Sequence, residues 1–150
     1  MQEKITRESA RLILTERFGH VDFRRGQWAP IQALLDGGDA LVVMPTGSGK
    51  SIIYQLPALL MPGLTIVVSP LIALMKDQKD KLTAQGVDAV AMHSHLSTLE
   101  SREAHRQIKA GEGELLYLTP ERFKDRDFFE HLLNRKVSLF VIDEAHCCSQ

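Results

Sequence analysis

Cysteine is scarce in this chain. The two cysteines, Cys147 and Cys148, are adjacent. Neighbouring cysteines rarely suit a structural disulfide, and with no C-x-x-C pair a zinc site is unsupported, so both read as thiols of a reducing compartment. An excess of charge of one sign is also lacking. The 18 basic and 19 acidic residues leave a formal net charge of -1, so there is no bulk electrostatic footprint for a polyanion. Any nucleic-acid contact must come from local groups. No apolar run reaches membrane-spanning length, and the opening M-Q-E-K-I-T-R-E-S does not have the charged-then-apolar layout of a signal peptide. A cytoplasmic protein with no membrane contact is therefore expected. Internal repeats, low-complexity segments and linkers are missing too.

What remains is ordinary for a globular domain. A length of 150 residues, 44% hydrophobic and 25% charged, suits one domain with a real core. Apolar spacing predicts helices over 5–18 and 28–35, with Gly19 and the Gly37, Gly38 pair as stops. From residue 40 onward the chain alternates. Short apolar runs at 40–44, 64–69, 89–92, 114–118 and 138–142 read as strands buried on both faces. Helical patterns lie between them at 51–60, 71–85, 99–110 and 120–133. Such alternation implies an α/β fold, a parallel sheet with helices on both faces.

In sheets of this kind ligands gather at the carboxyl ends of the strands, and the unusual residues stand there. The first run leads into M-P-T-G-S-G-K-S, Met44 to Ser51. Gly47 and Gly49 permit backbone conformations that a Cβ would block, so successive N–H groups, from Thr46 and Ser48 onward, converge on phosphate oxygens. Lys50 adds a point charge near the outer phosphates, the Ser51 hydroxyl can hold Mg²⁺, and the following helix presents its positive end to the same anion. The full phosphate-loop spacing asks for a glycine where this chain has Met44, and taken alone the stretch also fits a glycine-rich surface turn.

A second motif weighs against the turn. L-F-V-I-D-E-A-H puts Asp143 and Glu144 at the tip of an apolar strand, where Asp143 can reach Mg²⁺ and Glu144 can orient or deprotonate a water attacking the γ-phosphate. A pair of solvated acids is the alternative. His146, two residues beyond the catalytic carboxylate, either passes on the state of the γ-phosphate by hydrogen bonding or is a surface or core histidine.

M-P-T-G-S-G-K-S, D-E-A-H, S-P-L-I-A-L-M-K-D-Q and F-R-R-G-Q, in their order and spacing here, closely resemble the first motor lobe of the RecQ family of DNA helicases, in superfamily two. The resemblance runs from about Phe18 to Gln150 and includes Met44 in place of the leading glycine. It implies a RecA-like P-loop NTPase. Residues 1–36 would be N-terminal helices with an adenine-recognition element, and 37–150 a truncated ATP-binding lobe. ATP and Mg²⁺ are the implied cofactors; single-stranded and duplex DNA and a second motor lobe are the implied partners.

The resemblance also implies roles. Phe23, Arg24 and Gln27 stand in the adenine element; Gln27 suits bidentate pairing with an adenine edge, and Arg24 can stack on the base. His20 takes the place of a tyrosine that often forms the other stacking face. Ser69, Pro70 and Leu71, and then Thr119, Pro120, Glu121 and Arg122, look like the elements that hold the single-strand backbone. Plain N-capping by Ser69 and Thr119 is compatible with that role. Lys76, Lys79 and Lys81 read better as a solvated helix face than as a basic edge.

A chain of this family continues into an aromatic-rich loop, a Ser-Ala-Thr motif, a second motor lobe with arginine fingers, and a zinc-binding region. The strand with the Ser-Ala-Thr motif lies between the phosphate-loop strand and the D-E-A-H strand, so a central strand is expected to be missing here and apolar strand edges exposed. An arginine finger is worth roughly 10³ to 10⁵ in rate in related phosphoryl transfer. The isolated chain is therefore expected to bind nucleotide weakly, to hydrolyse almost nothing and to unwind nothing. Two alternatives stay open: a nucleotide-binding module released from motor function, and an RNA-directed member of superfamily two.

Overall fold

A computed structural model describes residues 4–44 and 49–143. These fall into two compact units, Met1–Met61 and Pro62–Gln150. The phosphate-loop residues Thr46, Gly47 and Ser48 lie outside the described residues, as do Glu144, His146, Cys147 and Cys148.

The first unit is helical. α1 spans Arg7–Phe18, α2 Trp28–Leu35 and α3 Lys50–Leu60. α1 begins at Thr6, whose hydroxyl accepts the N–H of Ser9 while Ser9 returns a bond to Thr6, and it ends at Gly19 in the left-handed conformation. Its inward stripe, Ala10, Leu14 and Phe18, is buried, as is Ile31 of α2, and both helices pack against α3. From Ile52 to Ala58 every residue of α3 is buried, polar Gln55 included, so this helix is enclosed rather than amphipathic.

The second unit is α/β. Its four-stranded sheet has the order β2-β3-β1-β4, and every pairing is parallel. β1 is Leu64–Val68, β2 Ala89–Met92, β3 Leu115–Leu118 and β4 Val137–Ile142. Each is followed or preceded by a crossover helix: α4 Ile72–Ala84, α5 Thr98–Lys109 and α6 Arg126–Leu133. Leu64, Ile66 and Val68 of β1 join Val90, Met92, Leu116 and Leu118 in one cluster with Ala104 and Ile108 of α5 and Phe128 and Leu132 of α6. The alternate residues, Thr65, Val67, Ala91, Leu115 and Tyr117, point to the other face and are buried as well. Burial on both faces is why β1, β2 and β3 read as unbroken apolar runs.

Two expectations change. Residues 120–133 do not form one helix: a short 3-10 helix, Pro120–Lys124, gives way at Asp125, whose carboxylate accepts the N–H of Phe128 and starts α6 afresh. A side chain that caps a helix competes with continuing the previous one. Residues 40–44 form no strand, and Leu41 and Val43 are 91% and 90% exposed. A strand exists only where a neighbour pairs with its N–H and C=O groups, and among the described residues this segment has no such neighbour. β4, at the edge of the described sheet, presents Phe140 and Ile142 at 51% and 55% exposure.

Candidate functional site

Residues Arg24 to Gln27, expected to recognise adenine, form a closed turn. The N–H of Gln27 donates to the carbonyl of Arg24 at 3.1 Å, and the N–H of Arg24 donates back to the Gln27 side-chain oxygen at 2.7 Å. The Gln27 amide nitrogen reaches the carbonyl of Gly49, 22 residues on, at 3.0 Å. Gln27 is 3% exposed and joins the turn to the last glycine of the phosphate loop. Among the described residues, one N–H and one lone pair of its amide are left over, the pair that the expected adenine contact would use. Phe23 packs against Trp28 with ring centres 5.2 Å apart, and the Arg7 guanidinium lies 5.6 Å from its ring centre, so Phe23 is a packing residue. Arg24 and His20 are exposed, as a stacking role requires.

Gly49 sits at φ 83°, ψ 31°, just before α3. A Cβ there would come within 2.5 Å of the Gln27 amide nitrogen, so the left-handed backbone and the close approach both demand glycine. Lys50 is the first residue of α3 and Ser51 the second, both half-buried, at the end where free N–H groups and the helix dipole favour an anion. A helix start of this kind is what a nucleotide phosphate requires. Among the described residues no group of three or more His, Cys, Asp or Glu side chains gathers to hold a metal. Ser51 offers a hydroxyl and Asp143 a carboxylate, the kinds of oxygen donor that Mg²⁺ takes.

In the second unit the strand ends line up. The N–H of Asp143 donates to the carbonyl of Val68 at 2.9 Å, that of Ser69 to Leu118 at 3.0 Å, and that of Thr119 to Met92 at 3.4 Å. Each expected residue is thus bonded to the end of the next strand, in one row. Ser69 and Thr119 are buried, Pro70 and Pro120 are half-buried, and Leu71 and Glu121 are exposed. Neither hydroxyl caps a helix: Leu71 is the N-cap of α4, and its N–H reaches the Ser69 oxygen at 3.3 Å, while the Thr119 hydroxyl has no partner among the described residues. The buried Nε of Arg122 is also unpartnered. The row continues to His93, directly after β2, which sequence reasoning passed over. Its signal was the polar H-S-H after a buried strand.

The DEAD/DEAH box helicase family model matches residues 24–150. The chain is 45% identical to the ATP-dependent DNA helicase RecQ of Haemophilus influenzae over 97% of its length. It is also 45% identical to the RecQ protein of Pasteurella multocida over 96%, and 44% identical to that of Bacillus subtilis over 94%. It spans only 24%, 23% and 24% of the lengths of those relatives. No helix among the described residues is long and apolar enough to cross a membrane. From the phosphate cradle before α3, the carboxylate at the end of β4 and the match that takes in both, we conclude that this chain belongs to the DEAD/DEAH box helicase family.

Proposed function

We propose that the chain is part of a RecQ-type ATP-dependent DNA helicase, in which Mg-ATP hydrolysis drives translocation on single-stranded DNA and unwinding of the duplex. The observation that carries this reading is the row formed by Asp143, Ser69 and Thr119, because it sets a carboxylate suited to Mg²⁺ beside hydroxyls suited to a sugar-phosphate backbone on one sheet edge. The names of the relatives, ATP-dependent DNA helicases, agree with it.

In this reading the Arg24 guanidinium and the His20 ring flank the adenine, and Gln27 recognises its edge while holding the turn to Gly49. The loop N–H groups of Thr46, Gly47, Ser48 and Gly49 cradle the phosphates, and Lys50 neutralises the outer ones. Ser51 and Asp143 would hold Mg²⁺, which when bound would supply charge neutralisation for phosphoryl transfer. Glu144 aligns and deprotonates the attacking water, and His146 links the γ-phosphate to a neighbouring element. Ser69, Pro70, Leu71, Thr119, Pro120, Glu121 and Arg122 hold the strand by its backbone, without reading its sequence. A second motor lobe is the partner that closes over the nucleotide.

The test is ATP hydrolysis by the protein at its native length, with and without single-stranded DNA, beside a Lys50→Ala control. Turnover that requires DNA and disappears in the control is expected. Turnover absent in both, or indifferent to DNA, would replace the motor with a nucleotide-binding module.

A further inference from the structure

A buried histidine at the end of β2 has no task in the nucleotide site. His93 is 6% exposed, and its Nδ1 accepts the N–H of His95 at 3.2 Å. In the neutral ring this places the proton on Nε2, a donor with no partner among the described residues. His93 lines a cleft of about 340 Å³ together with Ser94, Ser101, Glu121, Arg122 and Asp125. Arg122 brings a guanidinium that forms no ion pair among the described residues and whose buried Nε lacks a partner. Asp125 is already engaged in capping α6 at Phe128. Donors from three elements (the loop after β2, α5 and the 3-10 helix) therefore line one cleft, beside the carboxylates of Glu121 and Asp125. Such an arrangement suits a tetrahedral oxyanion.

We propose that this cleft takes a backbone phosphate of the single strand and that His93 takes up a proton as the phosphate enters. The inference rests on the DNA-motor reading above and adds a proton to it. Without the phosphate, His93 is held below the ordinary histidine value, first by burial and then by the positive charge of His95, Arg122 and Lys79; Glu100 alone pulls the other way. A phosphate supplies the missing negative charge and reverses the balance. Nε2 already carries a hydrogen, so the incoming proton, from solvent, goes to Nδ1. The His95 N–H then loses its acceptor and turns away. Binding is therefore tighter as pH falls through the value His93 has in the complex, with the full effect below its value in the free protein.

The experiment is binding of a labelled oligothymidylate, whose bases do not titrate near neutrality, to the native-length protein between pH 8 and 5.5 at constant ionic strength. Binding by the unaltered protein should tighten about three- to tenfold from pH 7.5 to 6, and His93→Gln should remove that dependence. The His93 ring resonances, followed by NMR in the unaltered protein, should titrate at higher pH with the oligonucleotide than without it, which decides the matter even if the variant does not fold. Equal pH slopes in both proteins and an unmoved His93 titration would overturn the proton-coupled site while leaving the DNA motor standing. No binding at any pH would overturn both.

Discussion

The Gln27 side chain joins two motifs that are distant in sequence: its amide nitrogen donates to the Gly49 carbonyl at 3.0 Å while its oxygen accepts the Arg24 N–H at 2.7 Å. A residue expected to read adenine is therefore also a strut that ties the turn at Arg24 to Gly49. Gln27→Ala leaves both backbone groups without their partner and should cost about 1–3 kcal/mol. Thermal unfolding will measure that loss. Titration with a fluorescent ATP analogue should show a weakening that Gln27→Glu does not rescue, since a carboxylate cannot donate to Gly49.

Gly49→Ala should destabilise by about 1–3 kcal/mol, part of it from the positive φ and part from collision with Gln27. In a Gln27→Ala background only the backbone part, about 1 kcal/mol, should remain. The double-mutant cycle measures the difference; strict additivity would mean the two side chains do not meet.

Thr119 offers a sharper separation of stability from function. Its buried hydroxyl has no partner among the described residues, so Thr119→Val should raise stability by about 1 kcal/mol. If the hydroxyl contacts a DNA phosphate, the same change should weaken oligonucleotide binding about three- to tenfold. Anisotropy titration beside a melting curve tests both, and unchanged affinity would remove Thr119 from the interface.

Arg135 spreads its guanidinium over the carbonyls of Gly111, Glu112 and Gly113 at 3.2, 2.7 and 3.1 Å, tying the residues after α6 to the turn before β3. Burial holds its pKa below the ordinary arginine value, a sign that the charge is partly desolvated there. Arg135→Ala should cost about 2 kcal/mol in urea denaturation, and Arg135→Lys should recover less than half because an ammonium cannot fork across three acceptors.

Acid should loosen the second unit. Burial is the leading reason that His93 and His105 are both held below the ordinary histidine value. The unfolded chain therefore binds more protons than the folded one once pH falls below that value, and stability rises with pH across the window. Denaturation midpoints should be flat above about pH 7 and decline from roughly pH 6.5 downward. His105→Gln, which removes one of the two groups, should make the decline shallower; an unchanged slope would exclude His105 as a cause.

Much of this architecture was legible in the sequence because it depends on local patterns. Strand 89–92 and helix 28–35 occur as the apolar spacing predicts, and the other elements common to both differ by one or two residues at their ends. What escaped depends on partners. The 40–44 run has strand composition, yet composition cannot supply a ladder neighbour. Asp125 looks like any helical surface acid until its carboxylate turns back onto Phe128. Of the site, the phosphate-loop glycine and the strand-end residues could be named from motifs. The Gln27 bridge could not, since it depends on a contact across 22 positions, and neither could His93, whose significance comes from the Arg122 cleft.

The row of hydrogen bonds across the ends of β4, β1, β3 and β2 has a mechanical consequence. Neighbouring strands lie about 4.8 Å apart, so Asp143 and His93 stand at opposite ends of a bar roughly 14 Å long. Its rungs are backbone bonds, at 2.9, 3.0 and 3.4 Å, and three of its four strands, β1, β2 and β3, are close-packed on both faces. In the proposed motor the distance between the nucleotide end and the DNA-gripping end is thus a fixed length within this unit. The stride along the strand is then set by how far the bar tilts or travels against another body, and substitutions that leave the rungs intact should change how often it moves but not how far.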